Sequence, residues 1–177
     1  MSANDRSRRS APDYEAYVAE QARDLGGLAA ALCGAGQDAE ELLADALVEI
    51  WRKWHLVTKA DSQVAYGRRI MTTTYLAAVR RDRRRRSLEA RLRAQQEINS
   101  PPTDRTETLA HHDQLDRALD SIPAKERAAL VLRYYLDQPT ESIAKILGCT
   151  SAAARTYQSR GRARLAAALT ESEGSSR

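Results

Sequence analysis

Between residues 38 and 54 the apolar side chains recur with the period of an α-helix. Ala39, Leu42, Leu43, Ala46, Leu47, Ile50, Trp51 and Trp54 make one continuous stripe, and Glu40, Glu41, Asp45, Glu49, Arg52 and Lys53 occupy the other face. Asp38 stands where an N-cap belongs, with Glu41 three residues on in capping-box position. Upstream, Tyr14, Tyr17, Val18, Leu25, Leu28 and Leu32 keep the same spacing until Gly34 and Gly36 supply a stop. Downstream, after a short polar connection from His55 to Ser62, a third helix starts near Gln63 and runs into an arginine run. Val64, Met71, Ala78 and Val79 mark its apolar side, and Arg69, Thr72, Thr73, Leu76 and Arg80 mark another. Three helices of this length make one small lobe.

The pattern then lapses. Residues 87–112 are rich in Arg, Gln, Asn, Ser and Thr and contain Pro101-Pro102, which reads as a flexible linker whose first part, Leu88 to Gln96, is able to prolong the preceding helix. Periodicity resumes at Leu115, Leu119 and Ile122. Pro123 opens a further helix with Ala128, Val131, Leu132 and Tyr135 inward. Thr140 caps a two-turn helix in which Ile143, Ala144 and Leu147 are buried, Gly148 ends it, and a last helix runs from Ser151 to about Leu169. The expected fold is therefore all-α: two small helical domains, 13–86 and 113–169, joined by the linker 87–112. The second domain is a four-helix unit with a helix-turn-helix, and 1–12 and 170–177 are disordered ends.

Composition agrees. Hydrophobic residues are 42% of the 177, Phe is absent, and Gly and Pro number 8 and 5, so Ala, Leu and Arg carry a helical chain. Cys33 and Cys149 form no CxxC or Cys/His spacing, which argues against a disulfide framework and a zinc site; near helix ends in apolar surroundings, they read as small buried residues. No apolar stretch approaches a membrane span and none follows Arg6, Arg8 and Arg9 as a signal peptide would require, so a cytoplasmic protein without membrane insertion is expected. No phosphate-binding glycine loop, HExxH or Ser/His/Asp set occurs. We expect no enzyme, no small-molecule substrate, no cofactor and no metal.

Charge changes the picture more. The net charge is only +4, yet Arg68 to Arg93 holds ten Arg and two acidic residues, Asp82 and Glu89. Such a segment neutralises phosphates, and single-stranded bases can lie against a face whose polar groups are Arg and Thr. In the last helix Ser151, Ala152, Arg155, Thr156, Ser159 and Arg160 share one exposed side, while Ala154 and Tyr157 face the lobe. Short hydroxyls and guanidinium groups on the second helix of a helix-turn-helix suit a major groove.

These pieces resemble a known family. DAEELLADALVEIWRKW (38–54), YGRRIMTTTYLAAVRRDRRRR (66–86) and LDRALDSIPAKERAALVLRYYLDQPTESIAKILGCTSAAARTYQSRGRARL (115–165) are similar to the extracytoplasmic-function (ECF) sigma factors of RNA polymerase, with the closest look to the actinobacterial SigE-like subgroup. The resemblance implies promoter recognition, DNA melting and transcription initiation. It implies that Glu41, Asp45, Glu49 and Arg52 hold the β′ clamp of core RNA polymerase. It also implies that Arg68, Arg69, Thr72, Thr73, Leu76, Arg80, Arg81 and Arg84 meet the −10 element, and that the 55–62 loop takes a flipped base. Ser151, Ala152, Arg155, Thr156, Ser159 and Arg160 would read the −35 element, with the β flap as a further contact and an anti-sigma factor as the commonest regulator. Ala44, Thr73 and Ala153-Ala154 depart from the family's usual Gln, Asn and Thr-Val. A stand-alone helix-turn-helix regulator is the alternative, and it leaves the 38–54 stripe without a role. A helical adaptor protein is a second, and it predicts no promoter specificity.

Overall fold

A computed structural model describes residues 3–34, 36–96 and 122–174. The elements are α1 (Ala3–Cys33), α2 (Gln37–Arg52), the single turn α3 (Trp54–Val57), α4 (Gln63–Gln96), α5 (Ala124–Leu130), a π-helical turn (Val131–Tyr135), α6 (Thr140–Leu147) and α7 (Ser151–Gly174). No strand occurs among the described residues.

The first lobe is α1, α2 and α4 packed on one another, with α3 closing one end. Leu25, Leu28, Leu32, Ile50, Val57 and Met71 are its fully buried centre. At one end Tyr14, Tyr17, Trp51 and Trp54 interlock. Tyr14 lies 4.9 Å from Trp51 and 5.4 Å from Trp54, ring centre to ring centre, and Tyr17 lies 5.3 Å from Trp54. Tilted and edge-on aromatic pairs of this kind take the place of the missing Phe residues. The Tyr14 hydroxyl donates to the Leu47 carbonyl at 2.8 Å and ties α1 to α2.

The second lobe is α5 and α6 against α7. Gly161 makes the α5–α7 crossing close: a Cβ there would stand 2.9 Å from Leu130 Cγ and 3.1 Å from the Glu126 carbonyl oxygen. Beside it the buried Glu126 carboxylate meets Arg164 Nε at 3.0 Å. The two lobes touch, through α1 with the π turn and through α4 with α5 and α6.

Several element ends differ from expectation. The first helix starts at Ala3, so residues 3–12 are not a disordered end, and Pro12 is accommodated inside it. Once the packed turns from Tyr14 onward exist, each added residue avoids the nucleation cost. The third helix continues to Gln96, which moves the start of the linker beyond 96; the rest of that segment, with Leu115 and Leu119, lies outside the described residues. Likewise α7 continues to Gly174 instead of fraying at 170. Asp38 is not a cap: Gly36 is the residue before α2 and no side chain caps it. Pro139, not Thr140, precedes α6. Tyr135 does not face inward. The π turn carries an extra residue per hydrogen-bonded ring, which swings Tyr134 and Tyr135 outward while Val131 and Leu132 stay buried. Gly148 ends α6 as expected, in the left-handed region at φ 61° and ψ 47°.

Candidate nucleic-acid and polymerase interfaces

The helix-turn-helix is built from local signals. Gly148 turns the chain, Cys149 N–H donates to the Ala144 carbonyl at 3.0 Å, and Thr150 Oγ1 accepts from Ala153 N–H at 3.2 Å. Thr150 is thus the N-cap of α7, satisfying one of the orphan donors of its first turn. Ala154 is fully buried and Tyr157 half-buried, under Lys125, whose Nζ lies 5.7 Å from the ring centre. That anchoring turns Ala152, Arg155, Thr156, Ser159 and Arg160 to solvent, with Ser151 half-buried at the helix start. All six residues expected to read the −35 element are brought together on one side. The Gln158 amide also reaches Thr140 Oγ1 at 3.5 Å, fixing α7 against α6.

On α4 the outcome is divided. Ser62 caps it, accepting from Ala65 N–H at 3.2 Å. Arg69, Arg80 and Arg84 are exposed and Thr73 is half-buried, and the helical spacing puts these four on one face. Thr72 and Leu76 do not join them. Thr72 is fully buried with its hydroxyl bonded to the Arg68 carbonyl at 2.9 Å, and Leu76 belongs to the core. A threonine that satisfies its own hydroxyl four residues back can be buried without an orphan group, which is why its polarity misleads. Arg68 turns toward α1 and stands 3.7 Å from the Asp24 carboxylate, and Arg81 turns toward α2, 3.8 Å from Asp45. The polar segment before α4 is not a plain loop: α3 and two consecutive turns, Lys59 N–H to Leu56 and Ala60 N–H to Val57, hold it. His55, Leu56, Thr58 and Lys59 are exposed there, above the buried Trp54 and Val57.

On α2, Glu41, Asp45 and Arg52 are exposed and Glu49 half-buried, aligned along one side. Glu49 accepts from Arg52 at 2.8 Å and has Lys53 Nζ at 3.5 Å; the Arg52 hydrogen bond, more than Lys53, holds its carboxyl below the usual range. Two apolar members of this surface escape a sequence reading. Val48 is 51% exposed and Trp51 37% exposed, and with Tyr14 and Leu47 they line a shallow groove. Trp51 fits the buried stripe by spacing, but Tyr14 fills the space beneath it, and Val48 falls off the stripe altogether.

A capped basic helix in one lobe and an arginine-faced helix in the other define a two-lobed, all-helical promoter-binding protein. Residues 18–85 match the sigma-70 region 2 model and residues 112–165 the sigma-70 region 4 model. The chain is 30% identical over 153 residues to the RNA polymerase sigma-E factor of Streptomyces coelicolor, covering 86% of this chain and 84% of that protein. It is 29% identical over 153 residues to the sigma-E factor of Streptomyces avermitilis, covering 86% and 83%. Its fold is shared with the sigma factor RpoE solved in complex with the anti-sigma factor NepR from Bartonella quintana (TM-score 0.64, 20% identity, 89% of this chain and 97% of that one). It is shared too with CnrH in complex with the cytosolic domain of CnrY (TM-score 0.59, 18% identity, 93% and 92%). The chain belongs to the extracytoplasmic-function sigma factors: it binds core RNA polymerase and promoter DNA and directs transcription initiation. A stand-alone regulator would need no region 2, so that alternative falls.

Proposed function

We propose a division of labour between three surfaces. The exposed side of α7, with Arg155, Thr156, Ser159 and Arg160, enters the major groove of the −35 element. Arginine takes guanine bidentately and the hydroxyls hold phosphate. Arg69, Thr73, Arg80 and Arg84 of α4 take the −10 strand, and the exposed turns at His55 to Lys59 receive a base flipped from it, at a cost of a few kcal/mol of unstacking. Glu41, Asp45, Glu49 and Arg52 meet the β′ clamp, with Val48 and Trp51 as the desolvated centre of that contact. The second lobe meets the β flap, and the chain between Gln96 and Ile122 joins the domains. The protein supplies no bond chemistry of its own; the polymerase does. It works wherever polymerase and DNA are, in the cytoplasm, and an anti-sigma protein is the class of regulator expected for it.

The observation that carries this reading is the geometry of α7, where Thr150 and Ala154 fix the helix so that every proposed reader is on the free side. The test is transcription by core polymerase from fragmented DNA of the source organism, with the 5′ ends of the products sequenced. Promoter-directed starts should depend on the protein. Arg155→Ala should weaken starts that carry a common upstream element, and Arg80→Ala should weaken melting. If both leave the start pattern unchanged, the residue assignment is wrong.

A further inference from the structure

Past Arg81, whose guanidinium meets Asp45 of α2, helix α4 leaves the packed lobe. Residues 83–88 and 90–92 are exposed and Glu89 is half-buried. Ser87 stands in the middle of this stretch, and Arg80, Arg83, Arg84 and Arg91 line one open hollow with it and with Leu88. Those four arginines lie seven, four and three positions before Ser87 and four after it, which is the spacing of one helix face. Arg80 spends its Nε on the Leu76 carbonyl at 3.0 Å. Among the described residues no carboxylate pairs with Arg83, Arg84 or Arg91. The acid within the run, Asp82, lines a different hollow, between α2 and α4. Thr72 and Thr73 satisfy their hydroxyls on carbonyls of their own helix; among the described residues Ser87 bonds none. The result is an exposed hydroxyl ringed by cations that lack a counter-charge.

We propose that Ser87 is a phosphorylation site for an ATP-dependent, arginine-directed protein kinase, and that its phosphate folds back onto the surrounding arginines and withdraws them from DNA. The Ser87 Oγ attacks the γ-phosphorus of ATP, the bond from that phosphorus to the bridging oxygen breaks, ADP leaves, and the hydroxyl proton passes to the base of the kinase. Two features suit the hydroxyl to such an enzyme. Arg83 to Arg86 precede it and Leu88 follows it, a cationic and then apolar frame complementary to a groove lined with carboxylates. The segment is also free to open into an extended groove. Like charges three and four positions apart, as at Arg80 and Arg84 or Arg83 and Arg86, oppose its helical form, and its side chains are in solvent. A phosphoserine carries about two negative charges near neutral pH and three strong acceptor oxygens. Arg83 and Arg84, one turn back, and Arg91, one turn on, are placed to donate to it. A guanidinium held by a phosphate on its own helix is not available to a DNA phosphate. This consequence rests on the reading of Arg80 and Arg84 as contacts to the −10 strand; the modification itself does not.

The test has three arms. Full-length protein treated with ATP and a purified arginine-directed serine kinase should gain a phosphoryl group on the Ser87 peptide, and Ser87→Ala should gain none there. Peptide mapping separates this site from Ser10, which also follows two arginines. Protein recovered from the source organism in growth and in stationary phase should carry the same group. A Ser87 left bare by the kinase, or bare in both cell samples, overturns the site. Phosphorus NMR of the modified protein reads the capture. The second ionisation of the phosphate should fall below its usual pKa of about 6, because neighbouring guanidinium groups favour the dianion, and Arg83→Met with Arg91→Met should restore it. A phosphate that titrates at its usual value overturns the capture. A labelled single-stranded DNA of about a dozen mixed-sequence nucleotides reads the consequence. Withdrawing two arginines should weaken binding about 25-fold at about 0.1 M salt and flatten the logarithmic salt slope by about 1.4, while unmodified Ser87→Ala binds as wild type does. Equal binding by modified and unmodified protein overturns the withdrawal from DNA. Unmodified wild type that does not bind the strand overturns the reading of α4, and the mapping and the phosphorus titration still decide the site.

Discussion

Arg81 on α4 and Asp45 on α2 face each other at 3.8 Å, and both side chains are more than half exposed (72% and 59%). Asp45 is therefore shared between the surface proposed for polymerase and the arginine run proposed for DNA. An ion pair this open contributes at most about 1 kcal/mol, and salt screens it. Asp45→Ala is expected to leave the thermal midpoint nearly unchanged while slowing association with core polymerase several-fold, an effect that fades with added salt. Calorimetry of the free protein and stopped-flow binding at two salt concentrations check the two halves. A large fall in the midpoint would mean that Asp45 is structural.

Leu76 and Thr73 lie three positions apart on α4 and should behave oppositely. Leu76 is in the core, so Leu76→Ala should cost about 2–5 kcal/mol by transfer and cavity terms. Thr73 is half-buried with its hydroxyl on the Ile70 carbonyl at 2.9 Å, so Thr73→Ala should cost less than about 1 kcal/mol and alter the −10 preference instead. Urea unfolding and start-site sequencing distinguish the outcomes. If Leu76→Ala is stable and changes start sites, the sequence expectation was right and the burial misleads.

That contrast marks how far the sequence could be read. The α2 stripe, the glycine at 148 and the exposed side of α7 were all legible, because period and turn chemistry are local properties. Thr72 and Leu76 were not, because whether a helix face meets core or water depends on what packs there, and Tyr135 was not, because no periodicity announces a π turn. Arg127 lies further out of reach: its partner is a backbone carbonyl 96 residues away, and a carbonyl has no sequence signature.

Gly67 sits where the buried Tyr17 hydroxyl, which makes no hydrogen bond, would overlap a Cβ. Alanine normally improves a helix interior over glycine by up to about 1 kcal/mol. Here Gly67→Ala should instead destabilise the first lobe by roughly 1–3 kcal/mol through overpacking. Tyr17→Phe alone should be neutral or slightly stabilising, since it removes a buried hydroxyl without a partner. In the Tyr17→Phe background the Gly67→Ala cost should largely disappear. Additive losses in the double-mutant cycle would show that the two positions do not meet.

Arg164 pairs with a buried carboxylate, the Glu126 side chain, which is 7% exposed. Arg164→Met should therefore destabilise the second lobe by about 1–3 kcal/mol, more than a surface arginine would. For a domain of this size each kcal/mol lowers the midpoint by about 4–8 °C. Restoring neutrality with Glu126→Gln in the same chain should recover part of the loss. No recovery would mean that the aliphatic stem of Arg164, not its charge, is what matters.

Tyr14 and Tyr17 make the first lobe sensitive to alkali. Burial raises both phenols above the ordinary tyrosine value, with Tyr14 adding to the upward shift at Tyr17 and Arg68 opposing it. A group whose folded pKa is raised stabilises the fold fully below its unfolded pKa, and that contribution is lost as pH climbs from about 10 through the folded value. Stability of the first lobe should therefore be flat toward neutral pH from these two groups and fall above about pH 10. Because Tyr14 packs tilted against Trp51 and edge-on against Trp54, tryptophan emission reports the loss directly. Tyr17→Phe should shift the alkaline transition upward by removing one of the two phenols. Tyr14→Phe should shift it less, since it also deletes the hydrogen bond to the Leu47 carbonyl and lowers stability at every pH. An alkaline transition unmoved by Tyr17→Phe would place its cause elsewhere, in the loss of cationic partners at still higher pH.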